Sequence, residues 1–314
     1  MSQKGTNENG NGLLLYLHNY SFYAQKVILA LHEKKIPFKS QTIDITKGEQ
    51  YQPSFLEVNP RGEVPALRDG VKVIPDSARI IDYLEDNFSN GNHPRLIPQE
   101  PSIKQRVNHF RELIDRIPAN TVTMGAFYHS EFICKPKLPF IAPVRAFMRA
   151  GFEKTAERLT KLAEAMPQYR ETLLNKAEDH AKTYKTVKDK EAYTRLLDEV
   201  DNTLQEVEDQ LFQNKDSSSW LVCPEFTAAD VSLTTLLYRL DVVGLSRKFY
   251  SAGRRPCVEA YYDRVSTRPS FQATFPTLFY HFKALIGFKV LGATAAALLA
   301  IAGGAVYYYK SRSR

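Results

Sequence analysis

The sequence is poor in the residues that build metal and disulfide centres. Its three cysteines, Cys134, Cys223 and Cys257, are too few and too scattered for a disulfide framework or a zinc site. They point to a reducing compartment for the soluble part. Seven histidines show no metal-ligand spacing either. A strongly basic body is lacking too. The formal charge is +7, but Lys283, Lys289, Lys310, Arg312 and Arg314 lie in an end segment without acids, and without those five the remainder carries +2. A nearly neutral body leaves no electrostatic footprint for nucleic acid. Residues 1–12 are Gly/Asn-rich. They have neither the apolar run of a signal peptide nor the Arg-rich amphipathic pattern of a mitochondrial presequence, and read as a disordered leader.

What is present organises around Asn59–Asn87, NPRGEVPALRDGVKVIPDSARIIDYLEDN. Val64–Leu67 is a short apolar run entered through a proline, Arg68-Asp69-Gly70 is turn chemistry, and Val71–Ile74 is a second apolar run, so the pair reads as a β-hairpin. Pro75-Asp76-Ser77 stops the strand and opens a helix with Ala78, Ile81, Leu84 and Phe88 on its apolar face. A proline opening a strand cannot donate to the ladder. A cis Val64-Pro65 bond accommodates it and turns the Val64 backbone outward. That backbone, beside Asp76 and Ser77 at a helix start, is a receptor for a peptide-like molecule. The Val64 N–H and C=O can pair with a main chain, Asp76 can take an ammonium, and the Ser77 hydroxyl with nearby N–H groups can hold a carboxylate.

Upstream, Leu13–Leu17 (LLLYL) is apolar throughout and reads as a buried central strand. Ser21 opens a helix with Val27, Ile28 and Leu31 inward, ending near Lys35, and Phe38–Ile45 reads as a second strand. With the hairpin and its helix the order is β-α-β-β-α, a thioredoxin-like α/β domain over residues 13–89. The site residues Val64, Pro65, Asp76 and Ser77 resemble the glutathione site of the glutathione-transferase family. In that resemblance Ser21 stands where the substrate thiol is activated, in the serine style of the theta- and zeta-like classes. The omega-like class has a cysteine there, so thiol–disulfide exchange at Ser21 is not expected. A hydroxyl at a helix N-terminus favours a thiolate. Serine is equally a preferred N-cap whatever the function. His18 and Tyr20 are neighbours that could take the role instead, and the sequence does not rank them.

Asn90–Pro101 reads as a linker, followed by an all-α domain over 102–272. Val107, Phe110, Leu113, Ile114 and Ile117 share one helical face. The chain then departs from a compact transferase through an insert at about 130–189. Pro136, Pro139 and Pro143 mark an irregular loop. Gly151–Met166 has helical spacing, and Glu171–Tyr184 is a weaker, charge-dense helix. Lys and Arg outnumber Asp and Glu across the insert, which suits either a solvated helical face or a docking surface for acidic headgroups or an acidic protein. Tyr193–Phe212 is a long amphipathic helix. Thr227 and Asp230 form a capping box before the strongly apolar run to Leu240, making Asp230 a folding residue rather than a catalyst. WLVCPEFTAAD and YYDRVSTRPSF match the transferases' C-terminal domain.

The end of the chain differs again. Val290–Tyr309 is twenty residues without a charge, bracketed by Lys289 and Lys310. As a helix it spans about 30 Å, the thickness of a hydrocarbon core, with Tyr307–Tyr309 as an interfacial belt. Few residues follow, so it is expected to insert as a tail anchor with the bulk in the cytosol. Gly292, Ala296, Ala300 and Gly304 recur every four residues, a smooth face for helix pairing or simply a means of moderating hydrophobicity. Phe275–Phe288 reads as an interfacial segment.

A transferase-like body, a basic helical insert and a tail anchor together resemble the ganglioside-induced differentiation-associated protein 1 family. The resemblance runs over Leu13–Arg314 and is strongest in YSFYAQKV, NPRGEVPAL, DSARIIDYLEDNF and WLVCPEFTAADVSL. It implies a single-pass protein of the mitochondrial outer membrane that affects fission, network shape and redox balance, with little or no transferase activity. A membrane-held serine-type transferase acting on lipid-derived electrophiles is the alternative. The resemblance further implies glutathione as the candidate ligand, a homodimer and unnamed protein partners, while the residues themselves point to no metal and no nucleic acid.

Overall fold

Five consecutive apolar residues suit a strand with a covered face on either side, and Leu13–Leu17 (β1) lies inside a four-stranded sheet of order β2-β1-β3-β4. The computed structural model describes residues 12–89, 91–214, 219–277 and 280–281. The elements below belong to one compact unit that ends at Phe275. The crossover helix α1 (Phe22–Glu33) leads to β2 (Phe38–Thr42), parallel to β1 with Leu17 opposite Thr42. The strand stops short of Ile45, where sequence periodicity carried it. It is an exposed edge strand, and Ile43 instead donates its N–H to the Leu17 carbonyl at 2.8 Å. A one-turn helix, α2 (Pro53–Leu56), precedes the hairpin of β3 (Ala66–Asp69) and β4 (Lys72–Pro75). The hairpin is antiparallel as expected and starts two residues later than the apolar run suggested. Val71 projects fully into solvent at its turn.

Helix α1 is buried on two sides, which explains its weak apolar stripe. Ala24, Val27, Ile28 and Leu31 pack on the sheet, while Phe22, Leu29 and Ala30 join the helical core. Helix α3 (Ser77–Asn87) buries Ile80, Ile81 and Leu84, so Ile80 takes the core position that periodicity assigned to Ala78. The linker is tied down by a buried ion pair, Lys34 Nζ to Glu85 Oε2 at 2.8 Å. The Lys34 ammonium also donates to Ser89 and to the Pro94 carbonyl, and Glu85 accepts the Leu96 N–H.

Helices α4 (Pro101–Asp115) and α5 (Ala119–Tyr128) open the all-α part. The insert is three helices: α6 (Ala142–Glu153), α7 (Thr155–Ala165) and α8 (Arg170–Lys188). Two expectations change here. Pro143 lies in the first turn of α6, where a missing N–H costs nothing, rather than in a loop. The periodic run Gly151–Met166 is broken at Lys154, which ends α6 and starts α7. Helix α9 (Lys190–Gln213) follows directly.

Helix α10 (Ala228–Val243) is the core of the unit, buried at every residue except Asp241. It opens with the expected capping box: Asp230 accepts from the Thr227 N–H at 2.8 Å and from the Thr227 hydroxyl at 2.7 Å. It closes at Gly244, where φ is +91° and a Cβ would come within 2.7 Å of Ile133, so no other residue fits. Helices α11 (Ser246–Phe249), α12 (Pro256–Ser266) and α13 (Pro269–Thr274) complete it. The Tyr261 hydroxyl on α12 donates to Asp230 at 3.0 Å. Among the described residues no helix is long and apolar enough to cross a membrane. The expected anchor, Val290–Tyr309, lies outside them, as do the leader through residue 11 and most of the interfacial segment.

Candidate functional site

Sheet register brings the proposed site residues together. Tyr16 pairs with Ala66, and Ala66 with Pro75. The C-terminal end of β1, the N-terminal end of β3 and the C-terminal end of β4 therefore lie side by side. The residues that continue from those ends are Ser21, Val64-Pro65 and Asp76-Ser77, so all five site residues stand at one edge. The β2 end joins them through Ile43 and Asp44.

The Val64-Pro65 bond is cis. The Val64 N–H and C=O take no hydrogen bond among the described residues. Asn59, almost fully buried, braces the loop before them. It donates from Nδ2 to the Glu63 carbonyl at 2.8 Å and accepts the Arg61 N–H at 3.2 Å. Motif reading included Asn59 in NPRGEVPAL but gave it no role.

Asp76 sits at φ +73°, a conformation that costs a non-glycine residue on the order of 1–3 kcal/mol. Its Oδ1 accepts the Ala78 and Arg79 N–H groups at 3.0 and 3.1 Å, capping α3. One carboxylate oxygen is thus engaged in the fold, and the other takes no hydrogen bond among the described residues. Ser77, a buried residue, makes no hydrogen bond through its hydroxyl or its N–H among them either. The first turn of α3 is steadied from α4 by Arg111, which donates to the Ala78 carbonyl at 3.0 Å and pairs with Asp82.

Ser21 is the N-cap of α1, its Oγ accepting the Ala24 N–H at a long 3.4 Å. Both roles weighed for it are geometrically compatible, because a hydroxyl accepts through a lone pair while keeping its proton to donate. His18 accepts the Tyr20 N–H at 3.4 Å, and burial depresses its basicity against the opposing pull of Asp44 and Glu49.

The β1–α1 turn is fixed by a residue that sequence reading passed over. Arg239 of α10 is buried and donates to the Tyr20 carbonyl at 2.8 Å. Its guanidinium lies over the Phe22 and Phe140 rings, and burial brings its pKa down to about 10. An arginine inside the apolar run LTTLLYRLDVV was the available signal. Among the described residues no group of His, Cys, Asp and Glu could hold a metal ion.

Comparison with known proteins agrees with this fold. Residues 20–87 match the glutathione S-transferase N-terminal domain, and residues 190–264 match the glutathione S-transferase C-terminal domain. The gap between the two matches contains the insert. The solved structure of the β-etherase LigF from Sphingobium superposes with a TM-score of 0.63 at 21% identity, covering 84% of this chain and 98% of that one. A glutathione S-transferase from Methylobacillus flagellatus, solved with glutathione bound, gives 0.53 at 20% identity over 84% and 100%. These establish the fold. Human ganglioside-induced differentiation-associated protein 1-like 1 is 31% identical over 268 residues, 83% of this chain and 72% of that protein. With likeness of that extent across the insert as well as both transferase domains, the chain belongs to the ganglioside-induced differentiation-associated protein 1 family, built on the glutathione-transferase fold.

Proposed function

We propose that this chain is a glutathione-transferase-like body tethered to the mitochondrial outer membrane, its bulk facing the cytosol. It acts on fission, network shape and redox balance through what it binds, with little or no transferase turnover. One observation carries the binding part. At the end of the sheet where Ser21 caps α1, the Val64 N–H and C=O and the Ser77 hydroxyl and N–H take no hydrogen bond among the described residues, which leaves them to pair with a peptide. Glutathione is the ligand of matching chemistry, with two carboxylates, an ammonium and a peptide main chain. The tether is Val290–Tyr309, charge-free between two lysines.

Calorimetry tests the ligand. Glutathione binds the full-length protein, and Ser77→Ala weakens it about tenfold, as loss of a hydrogen bond to a charged group does. No heat at millimolar glutathione removes the ligand from this reading. Imaging tests the rest. Deleting Val290–Tyr309 releases the protein and its effect on mitochondrial shape, whereas Ser21→Ala leaves both intact. Loss of the shape effect in a folded, correctly localised Ser21→Ala protein would overturn the binding reading.

The position of Ser21 at the helix N-terminus beside the groove favours a second reading, a serine-type transferase for lipid-derived electrophiles. It requires conjugation of glutathione to an α,β-unsaturated aldehyde that Ser21→Ala abolishes without changing glutathione affinity.

A further inference from the structure

The insert returns to the segment that precedes Val64. In antiparallel pairing, the ligand carbonyl that accepts the Val64 N–H leads on toward Glu63, while the ligand amide that donates to the Val64 carbonyl leads back toward Ser77. A γ-glutamyl tripeptide with its glutamyl end at Ser77 therefore places its C-terminal carboxylate on the Glu63 side. There the structure gathers cations. Lys176 of α8 lies 2.7 Å from Glu63, Arg61 is 3.2 Å from the other carboxylate oxygen, and Arg158 of α7 packs 3.6 Å from where a Cβ on Gly48 would stand. Arg158 makes no ion pair among the described residues. Lys176 and Arg61 both reach Glu63, so two cations flank one acid at this corner, although Glu63 itself would repel an anion.

Lys176 is also well held. Its side chain is 19% exposed, against 46% for Glu63. Helices α7 and α8 share a small core of Leu159, Ala163, Leu173 and Ala177, against which Tyr51 packs from the loop beside Gly62. The insert is thus seated on the segment that leads through Gly62 to Val64.

We propose that the α7–α8 hairpin supplies the carboxylate-binding end of this groove, with Lys176 as the residue that selects a ligand carrying a C-terminal carboxylate. The inference rests on the peptide-receptor reading above. Glu63 then holds Lys176 in place when the groove is empty and shares it with the ligand when it is filled.

The test is calorimetry on the full-length protein in detergent, with glutathione and with glutathione amidated at its glycyl carboxyl. The wild type is expected to prefer glutathione about tenfold, in line with one charge-assisted contact. Lys176→Met should weaken glutathione about five- to tenfold and leave the amide unchanged. Glu63→Gln keeps the shape but frees the ammonium, and should tighten glutathione about two- to threefold. A purely structural ion pair has no such signature, because breaking it from either end moves both ligands in one direction; that result overturns the proposal. Equal affinity of the wild type for the two ligands overturns it while leaving the receptor reading in place. Binding of neither ligand overturns both.

Discussion

Helix α10 and the α7–α8 hairpin are both helical, yet they stand at opposite ends of one scale of burial. Every residue of α10 but Asp241 is buried, and its N-terminus is closed by a carboxylate that receives the Leu221 N–H, the Thr227 N–H and hydroxyl and the Tyr261 hydroxyl. The hairpin has four buried apolar side chains of its own and a mostly solvated surface. What ties it to the segment before Val64 is Tyr51, the Arg158 side chain against Gly48 and one ion pair. A helix that every neighbour packs against has no freedom to change. A hairpin that carries its own core can vary without unfolding the body. Specificity is better placed on the second kind of element, and here the second kind contacts Glu63 and Tyr51.

The sharpest way to break this contrast is at Asp230. Asp230→Ala leaves several buried donors without an acceptor and should destabilise the body by about 4 kcal/mol. Thermal unfolding of the full chain should then move down by roughly 10 °C. An unchanged midpoint would mean that α10 is not the hub described here.

Next in size, Leu173→Ala opens a cavity in the hairpin core and should cost about 2–3 kcal/mol, felt locally. Hydrogen exchange should speed up in α7 and α8 and stay unchanged in α10. Equal loss of protection in both would show one cooperative unit and end the comparison.

A smaller effect is signed by pH. Burial pushes the Glu85 carboxyl up, but hydrogen bonds from Lys34 and the Leu96 N–H, with the Lys34 charge, outweigh it and hold the group below its ordinary range. Its stabilisation is complete above the unfolded-chain value of about 4.3 and is lost as pH falls through the lower folded value. Asp230 runs the other way. Burial raises its carboxyl against the bonds from Leu221 and Thr227, so the folded chain holds the proton more tightly than the unfolded one. Stability from that group declines as pH rises from about 3.9 through the folded value. Urea unfolding across the acid range should therefore rise less steeply with pH in Glu85→Gln and more steeply in Asp230→Asn. Parallel curves for all three proteins would contradict both assignments.

The smallest change is at Ser21. Its cap bond is long, so Ser21→Ala should cost about 0.5–1 kcal/mol. A loss several times larger would mean that the hydroxyl does more for the fold than cap one helix.

Much of this was legible in the order of residues. LLLYL, the turn at Asp69-Gly70, Pro75-Asp76-Ser77 and the Thr227–Asp230 box are signals that span a few positions, and each became the expected element. Boundaries moved where neighbours decided them: β2 stopped at Thr42 because it is an edge, and the Gly151–Met166 run broke at Lys154. The site residues could be named because their motif is local and the sheet register then had to bring them together. Their supports could not. Arg239 reaches Tyr20 across 219 positions and Lys176 reaches Glu63 across 113, and neither partner changes the local pattern around the other.

The sequence by itself determined the β-α-β-β-α order of the first domain, the cis Val64-Pro65 bond, the capped core helix and the family, because hydrophobic period, turn chemistry and capping act over a few residues. Only the tertiary structure decided which insert cation reaches Glu63 and which buried arginine fixes the turn before Ser21. Those pairings are chosen when distant segments pack, and packing writes no period into the chain.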